Sequence, residues 1–191
     1  GPPLPHDPRP VLRVSRTARL LICGQAPGTR VHASGLPFGD PSGDRLRAWL
    51  DVDRATFYDE RRVAFLPMGF CFPGQDLKGG DLPPRPECAI RWHRRLMAAL
   101  PQVEGVLLIG LYAQRWHLGR EATRDGVTAT VARWREIMSR DGPSGPVRVP
   151  LPHPSWRNTG WLRRHPWFEA DLVPVLRRTV AGVLTKGSAP P

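Results

Sequence analysis

Four short apolar runs, each cut off by glycine or proline, divide the chain. Ala18-Arg19-Leu20-Leu21-Ile22-Cys23 stops at Gly24, Val63-Ala64-Phe65-Leu66 at Pro67, and Gly105-Val106-Leu107-Leu108-Ile109 at Gly110. A weaker fourth is Val147-Arg148-Val149-Pro150-Leu151. Such runs suit strands buried on both faces of a parallel sheet. Between them the apolar spacing turns helical. Asp44–Leu50 follows Ser42, a candidate N-cap, and Glu87–Leu100 sets Ile90, Leu96, Met97 and Leu100 on one side. Thr123–Met138 is a third helical stretch, and Phe168–Leu184 repeats Phe168, Leu172, Val175, Leu176, Val180 and Val183. Strands alternating with helices predict an α/β fold, a three-layer α/β/α sandwich around a short, mostly parallel four-stranded sheet. Ligands of such sheets bind at the carboxyl ends of the strands. The segments after Cys23, Leu66, Ile109 and Leu151 are therefore where chemistry is expected.

Outside this pattern, residues 1–16 are proline-rich without periodicity and read as a surface or disordered arm. Residues 17–185 form the expected domain, and 186–191 a flexible tail. No run nears the roughly 18 apolar residues of a membrane span, so no integral membrane protein is expected. No signal peptide is legible either. Three scattered cysteines among 191 residues do not make a disulfide framework, which suggests a reducing cytoplasm. Charge changes the picture more: 28 Lys and Arg against 17 Asp and Glu give a formal +11. That excess favours a polyanionic partner such as nucleic acid.

Two segments at predicted strand ends concentrate the candidate chemistry. Gly24-Gln25-Ala26-Pro27-Gly28 follows the first strand, and its glycines allow close backbone approach to a ligand. No Gly-Lys-Ser/Thr follows, so it is not a phosphate-cradling loop of the nucleotide-binding kind. Composition alone makes it an ordinary strand-to-helix turn. Gly35-Leu36-Pro37-Phe38-Gly39-Asp40 comes next, with one aromatic and one acid. The second segment, Leu151–Trp167, holds His153 between two prolines and continues through Ser155, Trp156, Arg157, Asn158, Trp161, Arg163 and Arg164. It lies within the acid-free stretch Gly142–Phe168. Arginines interleaved with tryptophans suit a phosphate backbone and unstacked bases.

In this order, Gly24–Gly28, Phe38 and His153-Pro154-Ser155 resemble the uracil-DNA glycosylase superfamily over roughly Ala18 to Leu184. The first motif is similar to that superfamily's water-positioning motif, and the second to its DNA-intercalation loop. The nearest likeness is to its thermophile-type, iron–sulfur-containing branches. The resemblance implies a monofunctional DNA glycosylase of base excision repair, a monomer in the cytoplasm at the nucleoid, acting on damaged duplex or single-stranded DNA. It flips a deaminated base into a pocket and hydrolyses its N-glycosidic bond. Phe38 would stack on the base, with Gly24, Ala26, Pro27, Gly28 and Pro67 around it. His153 would stabilise the leaving anion, with Gln25 assisting through its backbone amide and Asp40 holding the water. Trp156, Trp161 or Leu162 would wedge into the vacated stack. Ser155, Arg157 and Asn158 would hold phosphates, with Arg163 and Arg164 adding positive charge.

Departures from the pattern matter. The acid of the first motif in the best-known uracil enzymes is Ala26 here, which leaves Asp40, with Asp44 second, as the acid. The uracil-reading Asn is absent from Phe65-Leu66-Pro67-Met68-Gly69, which leaves uracil, hypoxanthine, xanthine or another base open as substrate. The hydrolysis itself calls for no cofactor. The iron–sulfur branches hold a four-iron cluster on four cysteines, of which only Cys71 and Cys88 have counterparts here. Either the sequence starts after the missing pair, or the cluster is lost and both are plain buried cysteines. Ala26 and the missing Asn also leave room for a DNA-binding, damage-sensing homologue without activity. A basic RNA- or ribosome-associated protein would explain the charge but not the ordered motifs.

Overall fold

A computed structural model describes residues 3, 4, 6–77, 79–140 and 145–185. The four apolar runs are strands: β1 Leu20–Cys23, β2 Val63–Phe65, β3 Gly105–Ile109 and β4 Val147–Leu151. All pair in parallel in the order β2-β1-β3-β4. Alternate side chains leave opposite faces of a strand, and the core divides accordingly. Leu20, Ile22, Phe65, Leu107 and Leu151 join one apolar layer, and Leu21, Cys23, Ala64, Leu66 and Leu108 the other. The chain is thus an α/β/α sandwich around an all-parallel sheet.

The helices are shorter and more numerous than the apolar spacing predicts. They are α1 Thr29–Ser34, α2 Pro41–Leu50, α3 Arg54–Tyr58, α4 Pro86–Cys88, α5 Arg94–Ala98, α6 Gly110–Leu118, α7 Gly126–Ala132, α8 Trp134–Ser139, α9 Thr159–Arg164 and α10 Val173–Thr185. The predicted helix over 87–100 is present, but Ala89–His93 within it is wound as a π-helix. Phe168–Leu172 is wound the same way before α10. The 123–138 stretch breaks between α7 and α8 at Arg133. On one face α2, α3 and α10 supply Leu46, Trp49, Phe57, Leu176 and Val180 to the core, and on the other α6 and Ala89 supply Ala113 and the π-turn's inner side.

Two boundaries move. The helix after the Phe38 loop starts at Pro41, a proline at the first helical position, and its cap is Asp40 rather than Ser42. The arm is docked: the His6 ring stacks on Phe72, Arg9 donates to the Ala33 carbonyl at 2.7 Å, the Val11 N–H donates to the Phe70 carbonyl, and Arg13 bridges antiparallel to Phe65. The predicted tail over 186–191 lies outside the described residues. No helix among the described residues is long and apolar enough to cross a membrane.

Candidate active site

At the carboxyl ends of β1 and β2 lies a recess of about 90 Å³, walled by Gly24 to Gly28, Phe38, Asp40, Phe65, Pro67, Asp81 and His153. It shares Gln25, Asp40, Asp81 and His153 with a wider groove of about 560 Å³ edged by Arg30, Ser155, Trp156 and Arg157. The structure therefore gathers residues from four separate loops around one opening.

Backbone hydrogen bonds fix the first loop. Gly24 and Gln25 carbonyls accept from the Met68 and Gly69 N–H groups at 2.9 and 2.8 Å, tying the turn after β1 to the turn after β2. The Gln25 side chain donates to the Leu82 carbonyl at 3.1 Å, so it braces the loop carrying Asp81. Its backbone stays at the recess.

Phe38 is strained. Its φ of 51° lies in the left-handed region, rare for a residue with a bulky side chain. The Tyr58 hydroxyl donates to its carbonyl at 3.1 Å and holds that conformation. The ring sits over Gly24, where a Cβ would meet its tip at 3.6 Å, and 6.1 Å from the Phe65 ring. Strain retained by supporting bonds clusters at ligand sites.

Asp40 caps α2. Its Oδ1 accepts from the Ser42 and Gly43 N–H groups and from the Ser42 hydroxyl. Every one of these bonds falls on Oδ1, leaving Oδ2 without a partner among the described residues. One oxygen of the carboxylate thus serves the fold, and Asp40 also lines the recess and the groove. Asp44 points elsewhere: it is exposed and pairs with Arg47.

His153 is held at both ends. Its Nδ1 accepts the Ser155 N–H at 3.2 Å, which leaves the proton of a neutral ring on Nε2. The Asn158 amide donates to the His153 carbonyl at 2.7 Å. Burial keeps His153 below its ordinary pKa, while the carboxylates of Asp40 and Asp81 work against that shift. Neutral imidazole beside two acids is the resulting state.

The basic segment splits in two. Trp156 is 73% exposed at the groove's edge, with the Arg157 guanidinium 5.6 Å from its ring centre. Arg157 also donates to the Gly79 carbonyl at 3.0 Å across the groove. Trp161, on α9, turns inward instead. It stacks among His165, Trp167 and Phe168 and donates to the Thr128 hydroxyl at 2.8 Å. Leu162 packs against the same core. A side chain so placed covers the hydrophobic layer; the groove is left to Trp156. Arg163 and Arg164 are exposed at the end of α9.

Three groups here were not apparent in the sequence. Asp81 sits in a glycine-rich turn with no periodicity, its carboxylate 3.4 Å from where a Gly28 Cβ would stand. Arg45 on α2 donates to the Ser155 carbonyl at 2.9 Å and to Thr159, fastening the His153 loop to the helix capped by Asp40. Arg30 on α1 adds a cation to the groove. Asp81 reaches the site on the long connection between β2 and α4 and Arg45 on α2 itself, and neither follows a spacing rule.

Among the described residues Cys71 and Cys88 are the two of the four expected cluster ligands that are present. Burial, and then the nearby Cys88, raise the Cys71 thiol pKa, so the two sulfurs are neighbours. Among the described residues no third histidine, cysteine or carboxylate joins them. Two thiolates do not hold a cluster that takes four.

A family model matches residues 13–177. It is the model of the uracil DNA glycosylase superfamily, and its span takes in all four strands, the recess and the His153 loop. By this match the chain belongs to the uracil DNA glycosylase superfamily.

Proposed function

We propose that this protein excises a deaminated or otherwise damaged base from DNA by hydrolysing its N-glycosidic bond. Membership of the superfamily supports glycosylase-type chemistry on DNA. The observation that carries it is the pairing of His153 with the recess under Phe38. In this reading a flipped base enters the recess lined by the Phe38 ring and the Gly24–Pro27 backbone, and the groove edged by Arg30, Trp156 and Arg157 takes the strand it leaves.

Breaking the C1′–N bond leaves negative charge on the base and positive charge on the sugar. With Nδ1 occupied by the Ser155 N–H, Nε2–H of neutral His153 is the donor available to a base oxygen. Such a preorganised donor stabilises charge as it develops. Asp40 offers Oδ2 to a water and its charge to the sugar cation. Phe65–Gly69 offers backbone groups alone to the edge of the base.

Single-turnover assays on oligonucleotides carrying uracil, hypoxanthine or xanthine test this reading. We expect release of at least one base, reduced roughly 10²–10³-fold in His153→Ala, with DNA affinity nearly unchanged. No release from any of them, with DNA still bound, would favour the second reading: a damage-binding homologue without activity. Ala26 and the commitment of Asp40 Oδ1 to the helix cap are what favour that alternative.

A further inference from the structure

On the face of the sheet turned away from the recess, three metal-ligating side chains converge that the proposed chemistry does not use. They are Cys23 at the end of β1, His93 at the end of the π-turn and His117 near the end of α6. One ligand atom of each lies within 4.8 Å of the others. We propose that Cys23, His93 and His117 bind one zinc ion, as a structural clamp behind the candidate base pocket.

Unpaired polar atoms point to a ligand. His93 is fully buried, yet neither ring nitrogen makes a hydrogen bond, and His117 Nε2 is likewise buried without a partner. The Leu66 carbonyl lies near His93 and slightly favours its protonation, but without hydrogen-bond geometry. A buried polar atom with no partner costs about 1–3 kcal/mol; a neutral imidazole carries one lone pair, so one His93 nitrogen and, with its proton on Nδ1, His117 Nε2 call for something that accepts a lone pair, while the other His93 nitrogen keeps its proton. The two rings meet edge-to-face at 5.3 Å, which packs them but satisfies none of those nitrogens. Burial holds both histidines neutral, the form that ligates, with His93 lowered to about 4 and His117 to about 3.

The donor set selects the ion. One thiolate and two imidazoles suit zinc, with a fourth position open to water. Ligand atoms around tetrahedral zinc stand about 3.3–3.8 Å apart, so the side chains close by about 1 Å on binding. Cys23 carries its proton when no cation is present, because burial strongly disfavours the thiolate. Binding forms the S–Zn bond and releases that proton to solvent. The net charge becomes +1, opposed by the Arg148 guanidinium that faces His117.

The local winding fits the same reading. A π-turn inside a helix is rare and is often retained at functional sites, and here it delivers His93. The clamp would join β1, the 86–98 helical stretch and α6, and Cys23 immediately precedes Gly24 of the recess. The ion would fix the turn that follows it without touching the substrate.

The experiment uses the full chain, dialysed against zinc and then against metal-free buffer, with bound metal measured by elemental analysis. We expect one zinc per chain and a higher melting temperature. Cys23→Ala and His93→Phe should each bring zinc to background. As a control against loss of fold in the core variants, cobalt is titrated into the folded Cys71→Ser/Cys88→Ser protein, in which Cys23 is the single thiol. A thiolate-to-cobalt charge-transfer band at one equivalent supports the site. Absence of that band, zinc lost with Cys71 and Cys88 rather than with Cys23, or no zinc retained by the parent chain would each overturn it.

Discussion

A Cβ placed on Gly43 would stand 1.8 Å from the carbonyl oxygen of Phe38. The first turn of α2 therefore presses directly against the strained residue that roofs the recess. The Asp40 cap keeps the two segments in this contact, because it bonds the Gly43 N–H itself. Cap, close approach and positive φ form one mechanical unit.

Gly43→Ala must push the two segments apart, since the obstructing atom belongs to backbone and not to a flexible side chain. We expect a loss of about 1–3 kcal/mol in stability, the usual cost of overpacking, and a larger proportional loss of excision as Phe38 leaves its position. Urea unfolding and single-turnover excision measured on the same preparation check this. Full stability with full activity would show that Phe38 moves freely.

The proton on His153 sets the acid limb. Its pKa is lowered by burial, so the folded ring stays neutral at pH values where an exposed histidine charges. The unfolded chain binds that proton first as pH falls below about 6.5. The contribution of His153 to stability is therefore complete above that value and diminishes below it. Protonation also places hydrogen on Nδ1 and expels the Ser155 N–H. We expect excision to be level from neutral pH down to about 6.5 and to fall only at lower pH. A pH–rate profile, with an NMR titration of the ring, measures both; an inflection above 6.5 contradicts the neutral donor.

Asp81→Asn removes one of the two charges that favour the protonated ring. The inflection should move further down in pH while the neutral-pH rate holds. An upward move would mean that Asp81 acts on His153 through structure and not through charge.

Asp40→Asn separates the two duties of that residue. Asparagine caps helices as well as aspartate, so the bonds to Ser42 and Gly43 persist and the melting temperature should hardly change. Excision should fall, because the charge offered to the water and the sugar cation is gone. Asp40→Ala loses the cap as well, at about 1 kcal/mol. Equal excision by Asp40→Asn and the parent would leave the water to backbone groups.

These tests concern residues of unequal legibility. The strands were readable because fully buried parallel strands leave unbroken apolar runs, and the site's position followed from where those runs stop. Gly24–Gly28 and His153 lie next to such stops, and Phe38 stands one short helix further on. Helix α6 was not readable, since Gln114 is fully buried in it and spends its amide on the Leu108 and Leu151 carbonyls. A polar residue facing inward breaks the apolar period on which the reading depends. Helix α9 was hidden between Pro154 and Pro166, too short for a period to show. The π-turn that aims His93 is invisible because a shift from i→i+4 to i→i+5 bonding leaves no mark on residue spacing over one turn.

Trp156 and Trp161 lie five residues apart in the basic segment, and the structure separates them by burial. Trp156 stands in the groove with Arg157 against its ring, whereas Trp161 is fixed among Trp167, Phe168 and Thr128. Trp156→Ala should leave the melting temperature unchanged and weaken capture of DNA by about 1–3 kcal/mol, the worth of one base stacked on an aromatic ring. Trp161→Ala should cost about 3 kcal/mol of stability, a cavity effect, whatever it does to binding. Arg157→Ala differs from both: losing one phosphate contact makes the dependence of log affinity on log salt shallower by about one unit, without altering base preference. Thermal melts and salt-dependent binding on undamaged and lesion-bearing duplexes distinguish the three. If Trp156→Ala melts early and Trp161→Ala does not, the wedge and the core have been exchanged. If Arg157→Ala leaves the slope unchanged, its bond to Gly79 closes the groove instead of holding the strand.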